Sequence, residues 1–181
     1  MALCLFVTAG GPVSAATDLE NTFYLDVPAA RVVIELRPDL APLTVAHIKA
    51  LTKKGFYDGL KFHRVIAGFM AQTGDPLGSG AGGSGPNGAN NPVKAEFTQT
   101  HFLRGSLGLA RTDDPDSGDS QFFICFQPTP FLDGKYTLFG QVTKGMEFVD
   151  AIKKGDQARN GTVTNPDRIV KMQIAADEKK P

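Results

Sequence analysis

The chain is 181 residues long, 41% apolar and 21% charged, which suits one domain with a sizeable core and excludes wholesale disorder. Its 19 basic and 19 acidic side chains cancel, so neither a nucleic-acid phosphate surface nor an anionic membrane is expected as a partner. With thirteen Phe and no Trp, any apolar pocket must lean on phenyl rings.

The first sixteen residues stand apart. An apolar run over residues 3–7 is broken by Gly10-Gly11-Pro12, and Ser14-Ala15-Ala16 has the small-residue character of a signal cleavage site before Thr17. No Lys or Arg precedes Arg31, so the positively charged start of a signal peptide is missing. Residues 1–16 are therefore read as a secretory signal with a truncated or misassigned start, and residues 17–181 as one domain. The expected location is the periplasm, or the cytoplasm if the segment is not a signal. No apolar run approaches the ~18 residues of a membrane span. Cys4 lies in this leader and Cys125 in a strand-like run, so loss of the leader would leave one thiol and no internal disulfide.

Residues 22–27 and 31–36 are β-rich runs around Pro28-Ala29-Ala30 and predict a hairpin. Pro42 suits a first helical turn, Val45, Ile48 and Leu51 recur at helical spacing, and Gly55 supplies the stop. Residues 62–70 predict two short strands around Ala67-Gly68. Residues 74–92 form a Gly/Asn/Pro/Ser loop too long for a mere connection, which suggests that it shapes a surface. Further strands are expected at 106–110, 121–126, 137–142 and 169–174, with a second short helix over 146–154 that buries Phe148, Val149 and Ile152. Many short strands and two helices predict a mainly β fold, a closed antiparallel barrel.

Several motifs fail on context. Gly78-Ser79-Gly80-Ala81-Gly82-Gly83 is formally a dinucleotide fingerprint, but Pro86 and Pro92 follow it where a helix is needed. Gly118-Asp119-Ser120 suggests a hydrolase nucleophile with His47, His63 or His101 as base, yet Gln121 stands where an oxyanion loop favours glycine. The histidines match no metal spacing and read as structural. Asp113, Asp114, Asp116 and Asp119 miss the calcium-loop register and read as a solvated turn. Asn160-Gly161-Thr162 matches a glycosylation acceptor, a triplet common by chance.

The informative segment is Phe62-His63-Arg64-Val65-Ile66-Ala67-Gly68-Phe69-Met70-Ala71-Gln72-Thr73-Gly74-Asp75. On alternating strand positions Arg64 and Gln72 can share one side, with Phe69 or Met70 flooring a pocket. By pattern alone, a core strand carrying a salt-bridged Arg accounts for it as well.

The segment resembles the cyclophilin signature F-H-R-V-I-x-G-F-M-x-Q-x-G-D. Ser120-Gln121-Phe122-Phe123-Ile124-Cys125 is similar to the family's S-Q-F-F-I-C, and residues 131–142 to its W/F-L-D-G-K-x-x-x-F-G-x-V. The similarity runs from about Phe23 to Ile174. It implies an eight-stranded antiparallel barrel closed by two helices, with a substrate groove outside. It also implies peptidyl-prolyl cis/trans isomerase activity on Pro-containing unfolded or flexible polypeptides. Carried over by position, Arg64 is the catalytic residue, Phe69, Met70, Phe123 and Leu132 the proline pocket, and Gln72 and Gln121 polar groove residues. Ala110-Arg111 falls on the backbone that pairs with the peptide, and Phe131 and Tyr136 on the pocket rim. No cofactor or metal is expected, and the expected state is a monomer. Ala67 replaces the proline frequent before the glycine and Thr73 a glycine, while Leu109-Ala110-Arg111-Thr112 resembles the M-A-R-T of bacterial members rather than the M-A-N of animal ones. Phe131 stands where cyclosporin-sensitive members carry Trp, so weaker cyclosporin binding is expected. A barrel that only grips proline would need the pocket but not Arg64.

Overall fold

The computed structural model describes residues 18–178. The apolar run, Cys4 and the Ser14-Ala15-Ala16 triplet of the leader lie outside the described residues. Eight strands alternate with loops and two helices: β1 Thr22–Asp26, β2 Arg31–Leu36, α1 Pro42–Lys53, β3 Arg64–Ile66, β4 Met70–Thr73, β5 Ser106–Leu109, β6 Phe122–Cys125, β7 Leu138–Lys144, α2 Met146–Asp150 and β8 Lys171–Ile174. They form one antiparallel sheet in the order β3-β4-β6-β5-β7-β2-β1-β8.

The sheet curls. Register shifts lie on both sides of β7, at Val33/Ile34 of β2 and at Leu107/Gly108 of β5. Such irregularities bend a strand and increase its twist. The curl brings edge strands β3 and β8 towards each other without a continuous ladder between them. The seam is closed by neighbouring segments instead, through bridges at Lys61↔Arg168 and Arg64↔Thr162. Phe62 N–H donates to Asp167 O (2.9 Å), Val65 N–H to Gly161 O (2.8 Å) and Val163 N–H to His63 O (3.1 Å).

Period-two alternation sorts the side chains into two clusters. Val65, Ala71, Ile124 and Leu107 are register partners across β3, β4, β6 and β5, and all four are wholly buried in the interior cluster with Phe23, Ile34, Phe122 and Phe139. The rows on either side point outward. Arg64, Gln72, Phe123 and Gly108 form one of them, and Ile66, Met70 and Cys125 the other. A smaller outward cluster joins Met70, Phe102, Phe123, Cys125, Leu132 and Leu138.

Helix α1 covers the interior with Val45, Ile48 and Leu51. Ala41, before it, has no side chain to cap the first turn, so the free amides of Leu43 and Thr44 donate to the Glu96 carboxylate at 2.9 and 2.8 Å. Gly55 follows in the left-handed region at φ +69°, the expected stop. Helix α2 is shorter than the 146–154 expected and ends at Asp150. The Lys153 amide leaves the helical pattern to donate to Asp167 at 2.8 Å, while Val149 and Ile152 are still buried. No helix among the described residues is long and apolar enough to cross a membrane.

Candidate functional site

The outward row on four adjacent strands is the frame of the site. Arg64 on β3 stands directly opposite Gln72 on β4, which stands opposite Phe123 on β6. Adjacent strands are about 4.8 Å apart, so the row sets a guanidinium, an amide and a phenyl ring side by side. Opposite Phe123 on β5 is Gly108, where an added Cβ would lie 2.2 Å from Phe123 Cζ and 2.8 Å from Phe102 Cε1. Only glycine leaves room for the Phe123 ring. Phe102 stacks against that ring with centroids 6.1 Å apart, and Tyr136 meets it edge-on at 5.8 Å.

Met70, Phe123 and Leu132 are buried and make an apolar floor, with Phe69 and Tyr136 half-buried beside them. Phe131 is 58% exposed on the rim, its ring 5.3 Å from that of Phe69. Ala110 joins this cluster and donates its N–H to Gln121 O at 2.9 Å. Arg111 is clamped from several directions. It donates to Lys135 O through Nε and Nη2 and to Thr112 O through Nη1, and its guanidinium lies 4.5 Å over the Tyr136 ring. The sequence-predicted residues thus come together on one face, with Phe102 as an additional member.

The polar side of the row is a directed chain. Arg64 Nη1 donates to Gln72 Oε1 at 3.1 Å, and Gln72 Nε2 donates to Gln121 Oε1 at 2.9 Å. Gln121 Nε2 then donates to Gly80 O and Gly82 O at 3.0 and 2.9 Å. The chain ends in the glycine-rich loop, and a cleft of ≈ 590 Å³ opens between that loop, Arg64, Gln72, Arg111 and Asn160. Arg64 is half-buried, and burial draws its pKa down from the ordinary guanidinium value. No carboxylate pairs with it among the described residues, so the salt-bridged-core reading of this arginine does not hold.

Two buried carboxylates hold the loop. Asp75 accepts from the amides of Leu77 and Ser79, each at 2.7 Å, and from that of Gly80. Asp119 accepts from the Ser84 amide and hydroxyl, both at 2.6 Å, from Asn91 N–H at 2.9 Å, and pairs with His47 Nε2 at 2.8 Å. A Cβ at Gly82 would lie 2.1 Å from Asp75 Oδ1, and one at Gly83 2.5 Å from Asp119 Oδ2. The glycines therefore admit carboxylates beneath the loop rather than phosphates above it. Burial pushes both acids up, but the donors around them outweigh it and hold both below the usual carboxylate range. Asp119 is thus no part of a solvated turn, unlike the exposed Asp113, Asp114 and Asp116.

The hydrolase reading fails. Ser120 is wholly buried, and its hydroxyl donates to Gly74 O at 2.7 Å. His63 is buried with both ring nitrogens unpartnered, and desolvation lowers its pKa, which leaves it neutral. Asn160, like Phe102, is a residue that sequence reasoning missed. Its carbonyl accepts from Arg64 Nε at 3.1 Å and its Oδ1 from Arg64 Nη2 at 2.9 Å. The only local signal there was the glycosylation triplet, which gives no hint of a partner 96 residues away.

Comparison with known proteins bears on this face. Residues 22–174 match the family described as cyclophilin type peptidyl-prolyl cis-trans isomerase/CLD. A probable peptidyl-prolyl cis-trans isomerase of Brucella suis is 51% identical over 173 residues, covering 92% of this chain and 88% of the relative. Peptidyl-prolyl cis-trans isomerase B of Bacillus subtilis is 42% identical over 141 residues, covering 76% and 94%. The crystal structure of a cyclophilin from Hirschia baltica superposes with a TM-score of 0.77 at 27% identity, covering 90% of this chain and 76% of that one.

Proposed function

Because this chain belongs to the cyclophilin-type peptidyl-prolyl cis-trans isomerases and catalyses that reaction, we propose that Arg64 is its catalytic hydrogen-bond donor and that Phe69, Met70, Phe123 and Leu132 hold the prolyl ring. The imide C–N bond resists rotation because the nitrogen lone pair is delocalised, with a barrier of roughly 18–20 kcal/mol. At the top of the barrier that delocalisation is lost, and the nitrogen becomes pyramidal and able to accept a hydrogen bond. A donor that engages it only in the twisted state lowers the barrier selectively.

The observation that carries the reading is the state of Arg64. A guanidinium has five N–H donors. Gln72 and Asn160 occupy one on each nitrogen, which leaves one on Nη1 and one on Nη2 for substrate. No carboxylate among the described residues cancels the charge, and the apolar floor at Phe123 lies two strands away in the same row. Acceleration by about five decades needs roughly 7 kcal/mol. One charge-assisted hydrogen bond supplies about 1.5–3 kcal/mol of that. Desolvation in the groove and holding the peptide partly twisted supply the rest. Ala110 and Arg111 lend the groove backbone, and Gln72, Gln121, Phe131 and Tyr136 shape its walls.

The test is isomerisation of an Xaa-Pro peptide without ionisable side chains, followed by NMR exchange. Arg64→Lys keeps the charge but loses the planar fork and is expected to cost about two decades in kcat/KM. No titrating group takes part, so kcat/KM is expected to stay flat between about pH 6 and 9. A bell-shaped profile abolished by His63→Gln, with Arg64→Lys still active, would overturn the arginine mechanism.

Residues 1–16 form an export signal in this reading, with a mature start near Thr17 in the periplasm. The apolar run followed by Ser14-Ala15-Ala16 supports it. Intact-mass measurement on protein from fractionated cells decides it, and a cytosolic chain retaining Met1 would refute it.

A further inference from the structure

Asn160 takes the Nε/Nη2 edge of Arg64 with its own main-chain and side-chain oxygens, at 3.1 and 2.9 Å. Arg31 and Arg37 present the same edge of their guanidinium groups to carboxylates, those of Asp26 and Asp39. The geometry of the three clamps is alike and their charge is not. Those carboxylates raise the pKa of Arg31 and Arg37, whereas burial lowers that of Arg64. An amide and a carbonyl fix the plane of the guanidinium while leaving its positive charge for whatever enters the groove.

The loop that carries Asn160 is tied to β3 at several points, so the two move as one unit. Asn160 sits at φ +52°, ψ +35°, a left-handed conformation in which Asn is enriched among non-glycine residues. It ends a 3-10 turn, Gln157–Arg159, whose start is capped by Asp156 accepting from Ala158 N–H at 2.9 Å. Gly161 then packs on β3. A Cβ there would lie 2.5 Å from Ile66 Cγ1, and its carbonyl accepts from Val65 N–H at 2.8 Å. Gly155 closes the other side, donating to Val65 O at 2.8 Å, and a Cβ on it would lie 1.9 Å from Gly161 O. The residues flanking Asn160 are thereby tied to the residue after Arg64 on its own strand.

We infer that Asn160 is a positioning residue for the isomerase reaction: a neutral bidentate clamp that orients Arg64 without neutralising it. This rests on Arg64 being the catalytic donor. Two substitutions separate orientation from charge. Asn160→Gly keeps the left-handed backbone and the main-chain acceptor but removes Oδ1. Asn160→Asp keeps an acceptor in place and turns the clamp into the carboxylate kind found at Arg31 and Arg37.

The experiment measures kcat and KM by NMR exchange, thermal stability, and the Arg64 guanidinium N–H signals, for wild type, both variants and Arg64→Ala. Asn160→Gly is expected to lower kcat about ten- to a hundredfold, the scale on which small misplacements act. KM should stay within about twofold, thermal stability nearly unchanged, and the Nη signals should broaden as one of the three bonds that hold the group is lost. Asn160→Asp is expected to lower kcat as well, but with the Nη signals still resolved. A purely structural role would move stability and leave this pattern absent. If Arg64→Ala is inactive while either Asn160 variant keeps wild-type kcat, the clamp is refuted and Arg64 stands. If Arg64→Ala retains activity, the catalytic reading fails and the clamp with it.

Discussion

The two faces of strands β3, β4, β6 and β5 are made from the same short segments and are put to opposite uses. Inward, the row Val65, Ala71, Ile124 and Leu107 is apolar at every position and wholly buried. Outward, one residue along, the row Arg64, Gln72, Phe123 and Gly108 runs from a cation to an amide, a phenyl ring and no side chain at all. The inner face gains by uniformity, because every buried carbon adds to the same core. In the proposed mechanism the outer face works by difference, with a donor for the twisting imide at one end and a dry pocket at the other. Substitutions on the two faces should therefore fail in different ways.

The largest expected effect lies inward. Phe122 is wholly buried between Tyr57 and Phe139, with ring centroids 5.6 and 6.1 Å away. Phe122→Ala is expected to cost about 3–5 kcal/mol of stability, measured by denaturant titration. The neighbouring Phe123→Ala should cost less stability and far more activity. Equal stability losses with equal residual activity would erase the distinction between the faces.

The rim sharpens it next. Phe131→Trp adds an indole N–H where phenyl has none, and is expected to tighten cyclosporin binding by about one to two decades, or 1–3 kcal/mol, in a parallel titration. Tight, equal inhibition of both forms would remove this position as the determinant. Gly108→Ala should be smaller in scale. The added methyl would push Phe123 out of place and raise KM about tenfold, with kcat changed less. An unchanged KM would mean that Phe123 does not hold the prolyl ring.

The smallest effects are in the pH dependence of stability. His63 is buried neutral with a lowered pKa, so the unfolded chain binds its proton more readily below the unfolded value of about 6.5. Its contribution is complete above that pH and is lost as the pH falls towards the folded value. Asp75 and Asp119 also have lowered values, so their contribution is present above about pH 4 and is lost below it. Thermal melts should show two falls on acidification, and His63→Gln should abolish the first. If both falls persist in that variant, His63 is not the group responsible.

Much of this was legible in the sequence. That 121–126 is a strand follows from its apolar run, that Arg64 and Gln72 can share one side follows from a period of two, and the proposed pocket set comes from matching motifs. What was hidden depends on contacts distant in sequence. Asp119 reads as one more acid in a polar turn, because nothing local shows that Ser84, Asn91 and His47 converge on it. The dinucleotide reading fails on sequence context alone, but the reason for glycine at 82 and 83, the carboxylates of Asp75 and Asp119 beneath them, does not show there. The early end of α2 is set by Asp167, beyond the reach of helical periodicity. Asn160 carried the weakest signal, since a left-handed Asn before Gly is a common turn and its partner lies on β3, far away in sequence.

The seam between β3 and β8 gives the enzyme an uneven tempo. Elsewhere the sheet is knit by continuous ladders that must open together, but here a few bridges and single hydrogen bonds do the joining. Segments held so sparsely breathe at lower cost than the core they border. Arg64 and its clamp sit on that seam. Its amides should exchange with deuterium well before those of β5 and β6, and on warming the chain should stop turning substrate over while its interior is still intact.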